Sequence, residues 1–198
     1  MRNWHRAALV VLGCSAGLGI GCGDDADADS GDAAAEVDSS QIPPQGAAAV
    51  ETWLRKGTYK DWHCEGEVHA SRDPSPHGFN RICSNDLIAS HATGDADWPE
   101  GAAAVKELYA AADDNEPVGY AVYLKTDSDS ASGAHWYWYE SVPLDSAAPH
   151  DSHGVVADGL GDSGAAKTIC VGCHVAAGSD TAHTPTSGGR DQVYTPVR

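Results

Sequence analysis

Near its C-terminus the chain carries two cysteines and a histidine at a spacing that suits covalent chemistry. These residues are Cys170-Val171-Gly172-Cys173-His174, which follow the pattern C-x-x-C-H. In this pattern two thiols can form thioethers to the two vinyl groups of a haem, and the adjacent imidazole can ligate the iron. The sequence therefore predicts one covalent c-type haem, with Cys170 and Cys173 as attachment sites and His174 as axial ligand.

Other uses of these residues have to be weighed against haem attachment. A zinc site needs two further ligands at a convincing spacing, and a thioredoxin-like redox site needs a strand that runs into a helix. The sequence shows neither context. Four other histidines could supply a second axial ligand to the iron: His77, His150, His153 and His183. Such histidines are more often ordinary loop residues, so we expect an open sixth position.

Residues 1–21 have the features of a signal peptide. Arg2 and Arg6 precede an apolar run that ends near Ile20, and this run is too short and too rich in small residues to span a bilayer as a stable helix. The sequence therefore predicts export to an oxidising compartment, where c-type haem is attached.

The end of this segment resembles a bacterial lipoprotein cleavage site. Cys22 follows a glycine and precedes an acidic stretch, so it is predicted to carry a lipid that anchors the protein to a membrane, in the periplasm or at the outer membrane. Leu18 lies one place further from the cysteine than in the usual motif, and Cys14 offers a competing site. An ordinary secretory signal is the alternative.

Residues 22–45 are rich in Asp, Ala, Gly and Ser without an apolar period. Such a segment cannot bury enough surface to fold, so it is predicted to be a disordered acidic tether. The whole chain has a formal net charge of −17. This charge argues against nucleic acid as a partner, because phosphate binding needs a surplus of Lys and Arg.

Residues 46–198 have the length of one domain, and their periodicity predicts one amphipathic helix and several strands. The helix is expected over Ala47–Lys56, with a short second helix over Asp86–His91. Strands are expected over Trp62–Ala70, Phe79–Asn85, Ala102–Tyr109, Val118–Lys125 and Ala134–Val142. The last contains Trp136-Tyr137-Trp138-Tyr139, aromatic on both faces, as in a central strand covered on both sides. Residues 143–167 are expected to be mainly loop.

Two cysteines remain after the signal, the lipid and the haem are accounted for. Cys64 and Cys83 lie on the two strands of a predicted hairpin, so a disulfide between them is reasonable in an oxidising compartment. Two buried free thiols are the alternative.

Several segments together resemble the cytochrome P-460 family, which is related to cytochrome c′-beta, from about Gln45 to the C-terminus. They are Tyr59-Lys60-Asp61-Trp62, Ser75-Pro76-His77-Gly78, Arg81, Val105-Lys106-Glu107-Leu108 after a Pro-Glu-Gly turn, the Gly119–Lys125 strand, the aromatic strand, and the C-x-x-C-H motif with Ser179-Asp180 and Thr184-Pro185 after it. The resemblance implies an α+β fold, mainly antiparallel β-sheet with flanking helices. It also implies a five-coordinate c-type haem near the C-terminus and a chain that is often dimeric.

In members of that family that oxidise hydroxylamine, a lysine is bonded to a meso carbon of the porphyrin. Lys106 is the matching position, and strand alternation places it on a face with Ala104 and Leu108. A lysine whose ammonium reaches solvent past apolar neighbours is the alternative. Arg81 matches the pocket arginine of the family, which would orient a bound substrate; a structural arginine paired with Glu107 or Asp86 is the alternative.

One family feature is missing from this chain. The carboxylate that hydroxylamine-oxidising members use as proton acceptor would fall near Tyr120 or Ala121, and neither is acidic. Glu107 and Glu140 do not correspond to that position, so the role is not transferred to them.

The sequence thus favours an exported haem enzyme or redox protein of nitrogen-oxide chemistry, with another cytochrome as its redox partner. Its small ligand would be a nitrogenous molecule such as hydroxylamine. Two other functions stay open: binding or sensing of nitric oxide without turnover, and simple electron transfer, which would need a sixth protein ligand to the iron.

Overall fold

The computed structural model describes residues 38–71, 75–92, 96–142, 154–178 and 189–194. The predicted signal peptide and Cys22 lie outside these residues, as does most of the acidic segment. Among the described residues, every helix is too short or too polar to cross a membrane.

A seven-stranded antiparallel sheet organises the described part of the chain. The strands β1 to β7 are, in chain order, His63–Cys64, His69–Ala70, Phe79–Ser84, Ala103–Tyr109, Gly119–Lys125, Trp136–Ser141 and Val155–Leu160. Strands β3 to β7 lie side by side in chain order, and both short strands, β1 and β2, pair with β3. The α+β class with a mainly antiparallel sheet is therefore confirmed.

The helices are few and short. They are α1 (Ala47–Lys56), α2 (Asp86–Ser90) and α3 (Gly172–His174), with a π-helical turn (Ala166–Val171) directly before α3 and 3-10 turns at Ser39–Gln41, Thr58–Asp61 and Ala131–Gly133. Both helices predicted from the sequence are present. Helix α1 ends at Gly57, which adopts φ 71° and is the left-handed cap that a glycine supplies. Helix α2 begins after Asn85, whose side chain accepts a hydrogen bond from the backbone N–H of Ile88 at 3.2 Å.

The strand expected over Trp62–Ala70 is interrupted. Cys64 pairs with Cys83, and His69 pairs with Asn80, so the chain advances five residues while β3 advances three. The two extra residues leave the ladder as a bulge. Gly66 lies in this bulge, where the lack of a side chain weakens a strand.

The sheet is covered on two faces by different elements. On the α1 face, Val50 and Leu54 of α1 pack against strand residues that the pleat turns to that side. These strand residues include Cys83, Ala103, Val105, Val122, Leu124, Tyr137 and Tyr139. On the motif face, the core contains residues of the C-x-x-C-H segment and α2; its members are Ile88, Trp98, Ala102, Trp136, Trp138, Ala157, Ala166, Cys170, Val171 and Val193. Consecutive residues of a strand therefore face different cores.

Strand β6 is buried on both faces, as its aromatic run predicts. Trp136 and Trp138 lie on the motif face and Tyr137 and Tyr139 on the α1 face, and all four are at most 4% exposed. It pairs with β5 on one side and β7 on the other, so it is an interior strand.

The expectation that residues 143–167 are mainly loop is wrong for their second half. Strand β7 (Val155–Leu160) pairs along β6, and Ala166 begins the π-helical turn. Asp158 and Gly159 break the apolar period of β7 and hide the strand from sequence patterns. Asp158 has a structural role: its carboxylate accepts from the hydroxyl of Tyr137 at 2.6 Å and from the N–H of Ala47, at the start of α1, at 2.8 Å.

Candidate functional site

The C-x-x-C-H residues lie on one short helical segment on the motif face. We name residues 166–174 the motif helix; its first part is π-helical and its last turn is α-helical. Isolated π-helical turns occur frequently at functional sites. Cys170 is buried and Cys173 half-buried, and neither forms a disulfide. The helix thus presents two unpaired thiols and a histidine from consecutive turns.

The other expected cysteine pair is present as a disulfide. Cys64 of β1 is bonded to Cys83 of β3, directly opposite it in the sheet. This pair packs in the core of the α1 face, so it is separated by the sheet from the two motif cysteines.

His174 is held by a hydrogen bond at one ring nitrogen and by aromatic rings around it. Its Nδ1 lies 2.6 Å from the backbone oxygen of Gln192, so Nδ1 carries the hydrogen and donates it. The ring centroid lies 4.6 Å from that of Trp138, 5.4 Å from that of Tyr194 and 6.3 Å from that of Tyr123. With Nδ1 used in this way, Nε2 has the lone pair available for a metal.

The electrostatic environment keeps His174 neutral. Burial, reinforced by the positive charge of Lys106, lowers the pKa of His174 to about 4, although the bond to Gln192 opposes the shift. A neutral imidazole is the form that ligates iron. Burial likewise raises the pKa of the Cys170 thiol to about 12, so at neutral pH this thiol is protonated before any modification.

Alternation along β4 places Lys106 on the motif face, because its neighbour Val105 packs in the core of the α1 face. The sheet register pairs Lys106 of β4 with Ala121 of β5, and Ala121 with Glu140 of β6. The three residues therefore form one row across the sheet and point to the side of the motif helix. The positive charge of Lys106 is one of the causes that lower the pKa of His174, so the two residues interact electrostatically.

Two titratable residues lie in or beside this row: Glu140, to which the sequence assigned no role, and His77, which the sequence gave only as a candidate second axial ligand. Glu140 occupies the row next to Ala121, and His77 Nδ1 lies 3.5 Å from Glu140 Oε1, with side chains 12% and 13% exposed for the histidine and the glutamate. Burial raises the pKa of Glu140, while Lys106 opposes the shift. Burial, with Lys106 and His174, lowers the pKa of His77 to about 3. The chain therefore places a carboxyl group and a neutral imidazole beside Lys106.

Arg81 lies on the other face of the sheet from the motif helix. In the sheet Arg81 of β3 pairs with Glu107 of β4. Cys83 and Val105, two residues away on the same strands, pack in the core of the α1 face, so this pair faces that side as well. Its Nε donates to Glu107 Oε2 at 2.8 Å and a terminal nitrogen lies 2.7 Å from the same oxygen. Tyr59 and Tyr109 donate to the same carboxylate. Pairing with Glu107, the structural alternative weighed for this arginine, is what the structure contains.

The residues on the motif face fit a covalent haem. Two thiols and an imidazole with a free Nε2 form the donor set that the group requires. Two buried polar atoms there, His77 Nδ1 and Trp138 Nε1, have no hydrogen-bond partner. Buried polar atoms are nearly always satisfied, so such atoms mark a place where a further polar group belongs. The carboxylates of a haem or a small polar ligand at the iron would both be suitable.

His150, His153 and His183 lie outside the described residues, as do Ser179-Asp180 and Thr184-Pro185. His77 is therefore the one candidate for a second axial ligand that the described residues contain.

Comparisons with models of protein families, with curated proteins and with solved structures find no match to this chain. The resemblance to the cytochrome P-460 family rests on the motifs quoted from the sequence.

Proposed function

We propose that this chain is an exported monohaem c-type cytochrome that acts in nitrogen-oxide redox chemistry, anchored through a lipid on Cys22. The observation that carries the proposal is the arrangement of the motif helix. Cys170 and Cys173 are unpaired thiols, and His174 is oriented by the carbonyl of Gln192 so that Nε2 is left for a metal. Cys170 and Cys173 would hold the haem through thioethers and His174 would ligate its iron.

When bound, a c-type haem supplies an iron that binds small nitrogenous ligands and exchanges electrons with a partner, here another cytochrome. The aromatic rings of Trp138, Tyr123 and Tyr194 around His174 exclude water from its side of the site. Lys106, in the row beside them, is the candidate for modification of the porphyrin ring, as in the hydroxylamine-oxidising members that the sequence resembles.

Oxidation of hydroxylamine releases protons together with electrons, so such a site needs a proton acceptor. Tyr120 points to the α1 face and Ala121 carries no acid, but Glu140 lies next to Ala121 in the same row. We infer that Glu140, whose Oε1 lies 3.5 Å from His77 Nδ1, accepts the proton.

A second candidate function is binding of nitric oxide without turnover. It is favoured by Tyr120 and Ala121, neither of which is acidic, at the positions where hydroxylamine-oxidising members of the family carry their proton acceptor. The two candidates differ in whether the ligand is consumed.

The proposal is tested by expressing the whole chain with c-type haem maturation and recording the visible spectrum of the reduced protein. We expect covalent haem that resists acid extraction and that is lost in Cys170→Ala. Protein that carries no covalent haem under conditions that mature a known c-type cytochrome would contradict the proposal.

The same spectrum of Lys106→Ala separates the candidates. A strongly red-shifted Soret band that Lys106→Ala abolishes, and that Lys167→Ala on the exposed side of the motif helix retains, would support ring modification and oxidation of hydroxylamine. An ordinary high-spin c-type spectrum in all three proteins would favour nitric oxide binding. A low-spin spectrum would instead indicate a sixth ligand and simple electron transfer, with His77 as the ligand to test.

A further inference from the structure

The carbonyl that bonds His174 belongs to a tight turn in which a glutamine adopts a backbone conformation that is uncommon for this residue. Arg190 and Val193 exchange two backbone hydrogen bonds of 2.9 and 2.8 Å, so the turn has two central residues. These are Asp191, with φ 43°, and Gln192, with φ 70°. Both values lie in the left-handed region that glycine and asparagine prefer. A glutamine held there must be fixed by contacts outside the turn.

Those contacts centre on a buried ion pair. Lys125, the last residue of β5, places Nζ 2.8 Å from Asp191 Oδ2, and the two side chains are 0% and 6% exposed. The backbone N–H of Trp98 donates to the same oxygen at 3.1 Å, and the hydroxyl of Ser130 donates to the other carboxylate oxygen. An ammonium buried without a partner is very costly. Each member of the pair therefore fixes the position of the other.

Gln192, the residue directly after Asp191, connects the ion pair to His174. Asp191 bonds Lys125 through its side chain, and the next carbonyl, that of Gln192, accepts from His174 Nδ1 at 2.6 Å. A bond between Nδ1–H and a carbonyl fixes the orientation of a ligating imidazole and increases its basicity. The strength of that bond depends on where the turn holds its oxygen.

We propose that Lys125 and Asp191 are positioning residues for the axial histidine, which set the electron donation of His174 to the iron through the carbonyl of Gln192. This inference rests on the proposed function, since it concerns His174 as an iron ligand. It assigns a role to a buried ion pair for which the proposed function gave none.

The test is the double variant Lys125→Met with Asp191→Asn, which removes both charges while retaining side-chain volume. Replacement of a buried ion pair by uncharged residues of similar volume is often tolerated, so we expect it to fold and to attach haem. We expect the iron–histidine stretching frequency of the reduced protein, measured by resonance Raman spectroscopy, to fall. The midpoint potential should rise, because a weaker bond at Nδ1 makes His174 a poorer donor.

Ser130→Ala provides a second variant that removes one hydroxyl from Asp191 and should shift both quantities in the same direction by less. The control is Glu51→Gln with Arg55→Met, an exposed pair 3.9 Å apart on α1, which should leave both unchanged. Haem-bearing variants with the stretching frequency and potential of the unmodified protein would overturn this inference alone. An unmodified protein without covalent haem would overturn the proposed function and this inference with it.

Discussion

Glu107 and Glu140, two carboxylates on opposite faces of the sheet, have different surroundings. Glu107 accepts hydrogen bonds from Tyr59 at 2.7 Å and Tyr109 at 2.8 Å and forms an ion pair with Arg81. Its charge is therefore fully compensated, and burial under these donors suits a structural role. Glu140 instead lies beside Lys106 and the motif helix, with a raised pKa, which is the condition of a group that exchanges protons.

At this scale we predict that Arg81→Gln lowers the free energy of unfolding by about 1–3 kcal/mol, because Glu107 then loses its charged partner on the buried side of the sheet. Urea unfolding checks the value. Nitric oxide affinity and the visible spectrum should stay unchanged, since Arg81 is on the face opposite His174. Arg55→Gln on the surface of α1 is the control and should change stability by less than about 0.5 kcal/mol. A loss of ligand affinity in Arg81→Gln would restore the pocket role implied by the family resemblance.

For Glu140 we predict a pH effect on turnover. Its carboxyl group is protonated below its raised pKa and charged above it, so a rate that depends on Glu140 as proton acceptor rises with pH through that raised value. Glu140→Gln should lower the rate by about 10²–10⁴-fold and remove this limb of the profile. The measurement is steady-state oxidation of hydroxylamine with an artificial electron acceptor, from about pH 4.5 to 8. Exposed Glu116→Gln is the control; a profile of Glu140→Gln that keeps the rising limb excludes the role.

At the scale of elements, the sequence predicted the helices and strands that have a regular apolar pattern. It did not predict which residues of neighbouring strands lie side by side. Helix α1 and strand β6 are present because a continuous apolar pattern specifies each of them. The neighbourhood of Lys106, Ala121 and Glu140 could not be predicted, because it is set by the pairing of β5 with β6 across residues 126–135, whose turn geometry the composition leaves open. Strand β7 was missed since Asp158 and Gly159 mask its period.

The packing of the motif helix against the sheet depends on a close approach of backbone. A side-chain carbon added at Gly161, just before this helix, would collide with the carbonyl oxygen of Gly133 and would lie 2.6 Å from Val171 Cγ2. We predict that Gly161→Ala destabilises the protein by about 1–3 kcal/mol by forcing the helix outward. Urea unfolding and the haem content per chain should both decrease. Gly66→Ala, where nothing lies within 4 Å, is the matched control, and equal behaviour of the two variants would contradict the prediction.

The disulfide compensates for the shortness of β1. This strand has two residues, too few to hold its register alone, and the Cys64–Cys83 bond closes a loop with a sequence separation of 19. Loop-closure entropy predicts a loss of about 3 kcal/mol in the double variant Cys64→Ala with Cys83→Ala. Urea unfolding measures it. The unmodified protein treated with a reductant gives an independent estimate of the same quantity, and a change below about 1 kcal/mol in both experiments would show that packing alone fixes β1.

At the scale of the whole molecule, the sheet separates two kinds of chemistry. The α1 face holds the disulfide and the Glu107 cluster, which stabilise the fold. The motif face holds the unpaired thiols, His174 and the row of Lys106 and Glu140. Alternation along single strands, as in Lys106 and Glu107, assigns neighbours in sequence to different tasks.

The net charge of −17 determines how such a molecule would meet a redox partner. Removal of the proposed signal peptide would take away Arg2 and Arg6 and make the chain more negative still. A field of one sign steers cationic partners and repels anionic ones. We predict that electron transfer from the reduced haem to a cationic oxidant, such as hexaammineruthenium(III), slows as ionic strength increases, because salt screens the attraction.

The matched control is the same experiment with ferricyanide, an anionic oxidant, for which electron transfer should become faster as ionic strength increases. Stopped-flow rates from low salt to about 0.5 M decide the matter, since at that concentration charges more than a few ångströms apart are largely screened. Rates with the same salt dependence for both oxidants would mean that the electron leaves through a locally neutral surface, and the partner would then have to be recognised by shape and apolar contact instead of charge.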